Sequence, residues 1–109
     1  MANTFKLKTK ANVGVTTVGI YTAPAATTTV VIGITMSNTS GSGVNVGVGI
    51  TRAGTTEDVK LLKNAPIPSG SSLEFMAGNK VVLETTDTLT VDSDTNSSVD
   101  AALTIMEIT

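Results

Sequence analysis

Apolar and polar residues alternate along most of this chain. Val30, Ile32, Ile34 and Met36 share one parity, and Val31, Gly33, Thr35 and Ser37 share the other. Side chains on a strand point to opposite faces in turn, so this run predicts a strand with one apolar face. Asn38-Thr39-Ser40-Gly41-Ser42-Gly43 supplies turn conformers and predicts a loop. Alternation resumes with Val44, Val46, Val48 and Ile50 against Asn45, Gly47, Gly49 and Thr51. Two matched runs joined by a Gly/Ser loop predict an antiparallel hairpin whose apolar faces share one core. Gly47 and Gly49 mark either a close approach of neighbouring atoms or a flat face without bulk.

The rest of the chain reads the same way. Phe5 and Leu7 alternate with Lys6, Lys8 and Lys10, which predicts an edge strand or a basic arm over residues 1–12. Val18 and Ile20 mark a strand that ends at Tyr21-Thr22-Ala23-Pro24. Val59 to Lys63 predicts another, broken by Asn64 to Gly70, because neither Pro66 nor Pro68 can donate to a ladder. Leu73 and Phe75, then Val81 to Glu84, predict short strands joined by a tight turn at Ala77-Gly78-Asn79-Lys80. Leu89 and Val91 mark a further strand before the polar stretch Asp92 to Ser98. In the last strand Ala101, Leu103 and Ile105 face one way, and Thr104, Met106 and Ile108 the other. That strand is apolar on both sides, so a second chain or the folded-over N-terminal segment must cover one of them.

No segment carries a helical period. The expectation is all-β: a single antiparallel β-sandwich or jelly-roll-like domain of about eight short strands over residues 13–109. Composition agrees. Twenty Thr, thirteen Val and seven Ile make the chain of 109 residues rich in β-branched side chains. With two Phe, one Tyr and no Trp, the core is one of small aliphatics. Such a core buries little area, which leaves room for an oligomer interface to add stability.

The chain has no His and no Cys. That removes disulfides, thiolate nucleophiles, Cys/His zinc sites and imidazole-based triads. Net charge is −2, which gives no basic footprint for nucleic acid, and neither a signal peptide nor a membrane helix is visible. Gly47-Val48-Gly49 fails as a dinucleotide motif, because Arg52 stands where the third glycine belongs. Gly49 and Gly54 have P-loop spacing, but Thr55 replaces the lysine. Asp92-Ser93-Asp94-Thr95-Asn96 begins like a calcium loop, yet Ser97 and Leu103 occupy the positions of its Gly and Glu. Glu57 and Asp58 are neighbours on a strand and do not converge. The sequons at Asn38 and Asn96 read as turn chemistry. The expectation is no enzyme, no cofactor and no metal.

Charge is uneven. Every charge in residues 1–56 is positive and every charge in residues 81–109 is negative. Either distinct copies or an acidic partner complement each other, or strands from the two ends interleave and cancel locally.

Several stretches resemble known proteins in order along the chain: Tyr21 to Gly33, Lys63 to Leu73, Lys80 to Glu84, Asp87-Thr88-Leu89 and Ile105 to Ile108. Together they resemble small virion structural proteins of tailed bacteriophages, notably those of marine cyanobacterial phages. The resemblance implies a virion component assembled in the host cytoplasm, with other virion proteins and its own copies as partners. Decoration and reinforcement of the capsid by a trimer is the expected role. A neck, tail or baseplate component is the alternative. A carbohydrate-binding sandwich is weaker, since sugar platforms need aromatic rings. Phe5, Lys6, Leu7, Lys8, Lys10, Met106 and Ile108 are the candidate partner-binding residues.

Overall fold

The structure is a computed structural model that describes residues 3–52, 58–75 and 81–109. Among these residues there are nine strands and no helix. They are β1 (Asn3–Val13), β2 (Val18–Thr22), β3 (Thr28–Asn38), β4 (Val44–Thr51), β5 (Asp58–Ile67), β6 (Ser72–Phe75), β7 (Val81–Leu83), β8 (Thr88–Ser93) and β9 (Val99–Ile108). One sheet runs β1-β9-β3-β6, with β7 also on β3, and the other runs β2-β8-β4-β5. All pairings are antiparallel. Most successive strands change sheets, which is the connectivity of a jelly roll.

The predicted apolar face of β4 meets half of the predicted face of β3, Ile34 and Met36, in one core, but not as a hairpin. β3 lies in the first sheet and β4 in the second, so the Asn38–Gly43 loop arches between layers. Asn38 is buried and shapes that arch. Its Nδ2 donates to the carbonyls of Ser42 (2.8 Å) and Ile67 (2.9 Å). Its Oδ1 accepts from the N–H (2.9 Å) and hydroxyl (2.7 Å) of Ser40. The first sheet gives Val31, Ile34, Met36, Leu103 and Ile105 to the core, and the second gives Val46, Val48, Leu89 and Val91.

Two elements depart from the simple reading, each for its own reason. The β3–β9 register shifts between Val31 and Gly33, so an extra residue enters β3. A bulge of this kind reverses side-chain parity. Val31 is therefore buried with Ile34 and Met36, while Val30 and Ile32 turn to the outer face. In β5 the strand continues through Asn64 and Pro66 instead of stopping, with Pro66 opposite Asn45. β5 is an edge strand, where a missing N–H costs no ladder bond, and register shifts absorb the irregularity.

β6 and β7 pair with successive parts of β3, Ile34 to Ser37 and Thr29 to Val31. Both are antiparallel to β3, so they run in one direction along its edge rather than as a hairpin. The tight turn expected at Ala77–Lys80 lies outside the described residues, as do Gly54, Thr55 and Glu57.

The glycines of β4 report close approach. A Cβ on Gly47 would stand 2.6 Å from Asp92 Oδ1 and 3.2 Å from the Leu62 carbonyl oxygen. One on Gly49 would stand 2.9 Å from the Val59 carbonyl oxygen and 3.2 Å from Thr90 Oγ1.

Candidate functional site

Registers across the first sheet place side chains in rows. Phe5 opposes Met106, Met106 opposes Val30, and Val30 opposes Val82. Directly opposed residues share a face with Cβ atoms about 4.5–5.5 Å apart. The result is an apolar row across four strands on the face turned away from the core. Phe5 is 69% exposed and Val82 54%. Asn3, Ile108 and Thr28 form the row on one side, and Leu7, Thr104 and Gly33 the row on the other. No charged residue occurs in these three rows. Beside them, Gly33, Ala102 and Thr104 leave a shallow depression next to Ile32.

The three lysines of β1 point the other way. Lys6, Lys8 and Lys10 oppose Ile105, Leu103 and Ala101, all buried on the core side of β9. Lys6 Nζ reaches Glu107 Oε1 at 2.9 Å. The other oxygen, Oε2, accepts from the Tyr21 hydroxyl at 2.6 Å, and that hydroxyl also bonds Thr29 Oγ1 at 2.8 Å. Burial first, and then the hydrogen bond to Glu107, push the Tyr21 hydroxyl up to about 12. The Tyr21 and Lys6 hydrogen bonds hold the Glu107 carboxyl below its ordinary value. Basic β1 and acidic β9 are thus neighbours, and charges from the two ends of the chain meet inside one subunit.

The sequence-chosen residues therefore divide. Phe5, Leu7, Met106 and Ile108 come together on the outer face, whereas Lys6, Lys8 and Lys10 occupy the opposite side of β1. Val30 and Val82 belong to the outer row and were missed. The bulge hid Val30, since strict alternation assigns it to the core. Glu107 was also missed, although the signal was there: it shares parity with Leu103 and Ile105, and an acid at a core position demands partners.

Among the described residues, no group of three or more acids assembles a metal site. Asp92 accepts from Thr17 Oγ1 (3.1 Å) and lies 3.7 Å from Lys60 Nζ. Asp94 Oδ1 accepts from the Asn45 N–H at 3.1 Å. Both carboxylates join loops to strands. Every buried side-chain polar atom described has a hydrogen-bond partner.

No known protein family matches the chain, and no curated protein is similar to it in sequence. Solved structures do share its fold. A subunit of Bacillus endospore appendages, described as disulfide-linked pili, is 15% identical with a TM-score of 0.57, over 99% of this chain and 87% of that one. A chain of the infectious bursal disease virus particle is 15% identical with a TM-score of 0.60, over 96% of this chain and 30% of that one. The VP2 protein of the same virus, in derived particles, is 16% identical with a TM-score of 0.62, over 96% and 31%. This chain spans less than a third of those viral proteins. At such identities the likeness is one of fold, and function rests on the surface.

Proposed function

We propose that this protein is a non-enzymatic structural subunit of a virion, and that as a trimer it decorates and reinforces the capsid of a tailed phage. The observation that carries the reading is the set of uncharged rows on the outer face of the first sheet, with Phe5, Met106, Val30 and Val82 in one row. An exposed apolar face of this extent is the mark of a contact surface. Met106 and Ile108 contact neighbouring copies or the shell together with Phe5 and Leu7. Lys6 is held by Glu107 within the subunit, and Lys8 and Lys10, on the other side of β1, meet carboxylates at the rim, where each ion pair adds only about 0–1 kcal/mol. Shared topology with capsid and appendage subunits supports an assembling role over a catalytic one.

The second reading is a neck or tail component that repeats along an axis. It is favoured by the near full-length match to an appendage subunit, 87% of that chain. The covalent linkage of those pili does not transfer, because this chain has no cysteine. Mixing the purified protein with bare particles and counting bound copies tests both readings. Occupancy across the whole shell supports decoration. Occupancy at a single vertex supports the neck or tail. No binding, with a monomer in light scattering, overturns the assembly role.

A further inference from the structure

We infer that β1 is an exchangeable strand: its residues 3–10 swing out about Ala11–Asn12, where the register breaks, and pair with β9 of a second copy of this chain, in the register they hold at home. Four observations support this, and none depends on the virion reading.

Residues 3–12 of β1 add no buried side chain to the core. Of the strand's eleven residues only Val13 is buried and only Lys8 is half-buried. The buried apolar core begins at Val13. What joins residues 3–10 to the domain is main-chain pairing with β9, one residue opposite one from Asn3↔Ile108 to Lys10↔Ala101.

A hinge sits where the strand meets the core. The register breaks between Lys10 and Val13, and Asn12 adopts a left-handed φ of 59°. Asn tolerates that region better than most residues, but it still carries a conformational cost that a straightened hinge relieves. Strained hinges beside a separable element favour exchange between identical chains.

Among the described residues, a small set of side-chain bonds holds the strand at home. Lys6 pairs with Glu107 at 2.9 Å, and the Asn12 N–H donates to Asp100 Oδ1 at 3.0 Å. The Lys6 pair is remade unchanged when the strand comes from another copy, and the Asn12 bond is released with the hinge.

The vacated seat suits one occupant. Without β1, β9 becomes an edge with a row of unpaired N–H and C=O groups, and an extended strand is the partner such an edge takes. Glu107, buried beneath that seat, needs a cation at the Lys6 position. The Lys6 of a second copy supplies it in register. Exchange leaves the summed contacts nearly constant, so raising the concentration of copies shifts the balance towards it.

The absence of cysteine gives a clean background for trapping. Lys10 and Ala101 are paired on the inner side of the β1–β9 ladder, and Ala101 is 3% exposed. A disulfide there requires β1 to be seated on β9 and cannot arise from two outer faces touching. The double variant Lys10→Cys/Ala101→Cys checks fold and register by closing a disulfide. Lys10→Cys copies are then mixed with mass-tagged Ala101→Cys copies, concentrated and oxidised. The control mixes Lys10→Cys with Met36→Cys, buried opposite Ala101 one strand further in. The expected result is a covalent heterodimer at roughly ten times the control yield, rising with protein concentration. Closure of the double variant within single chains, with no heterodimer above control, overturns the inference. Failure of the double variant to close in either form also overturns it, because the register it depends on is then wrong.

Discussion

The Tyr21 hydroxyl on β2 donates a 2.6 Å hydrogen bond to Glu107 on β9, joining the two sheets through the core. Thr29 and Lys6 complete the cluster, so both carboxylate oxygens are engaged. A hydrogen bond to a buried charged group is worth about 1.5–3 kcal/mol. Tyr21→Phe keeps the ring and removes the bond. It is expected to lower unfolding free energy by about 2 kcal/mol, read from urea midpoints at unchanged slope.

The same pair should couple stability to pH on both the acid and the alkaline side. The folded-state value of Glu107 is depressed, so its contribution is present above the ordinary value of 4.5 and is lost as pH falls through the folded value. Tyr21 is raised from 10.0 to about 12, so its contribution is complete below 10 and is lost as pH rises towards 12. Stability measured against pH should therefore fall on both flanks. Glu107→Gln should flatten the acid flank, and Tyr21→Phe the alkaline one. Flanks unchanged in both variants would show that the cluster does not carry the linkage.

Gly49 and Gly41 make a matched contrast. A Cβ at Gly49 would meet the Val59 carbonyl at 2.9 Å, a backbone atom that cannot rotate away, whereas nothing lies within 4 Å of one at Gly41. Gly49→Ala should destabilise by about 1–3 kcal/mol through overpacking. Gly41→Ala should stay within about 0.5 kcal/mol of the parent. Equal thermal midpoints for the two variants would mean that β5 shifts to make room.

The contrast also shows how far the sequence was legible. Alternation in Val44–Ile50 and Ala101–Ile105 was enough to find the core faces, because neither run contains an extra residue. The bulge in β3 leaves no local signature beyond Gly33, so strict parity misassigned Val30, Val31 and Ile32. The Asn38–Gly43 loop looks alike in a hairpin and in an arch. What decides between them is Asn38 bonding the distant Ile67 carbonyl, a long-range contact that local pattern does not encode. On the outer face, Phe5, Leu7, Met106 and Ile108 were readable by parity. Val82 was not, because its place depends on β7 taking the edge of β3 rather than pairing with β6.

Asn38 itself is expected to be sensitive to substitution. Its amide uses both donors and accepts twice, within a site 3% exposed. Asn38→Ala strands the Ile67 carbonyl and the Ser40 N–H, and should cost about 3 kcal/mol in chemical denaturation. Asn38→Asp fills the same volume but presents a carboxylate to two carbonyl oxygens, so it should not rescue. Rescue by Asp would show that space, and not hydrogen bonding, is what Asn38 supplies.

The outer row offers the sharpest separation of folding from assembly. Phe5 is 69% exposed and Val82 is 54% exposed, so neither supports the core of an isolated subunit. Phe5→Glu or Val82→Glu should therefore leave the unfolding midpoint of the monomer within about 0.5 kcal/mol of the parent. In an assembly that buries this face the same change places a carboxylate in an uncharged apolar contact, where the unpaired charge is strongly disfavoured. Either variant should lose particle binding in a pull-down, and the self-association that buries this face should fall together with it in light scattering, while exchange of β1 persists. The pairing Phe5↔Met106↔Val30↔Val82 puts both sites on one surface, so the two variants should behave alike. Thr16→Glu, on the exposed β1–β2 connection, serves as the control for added charge and should associate as the parent does. Parent-like association in both outer-row variants would remove this face from the assembly.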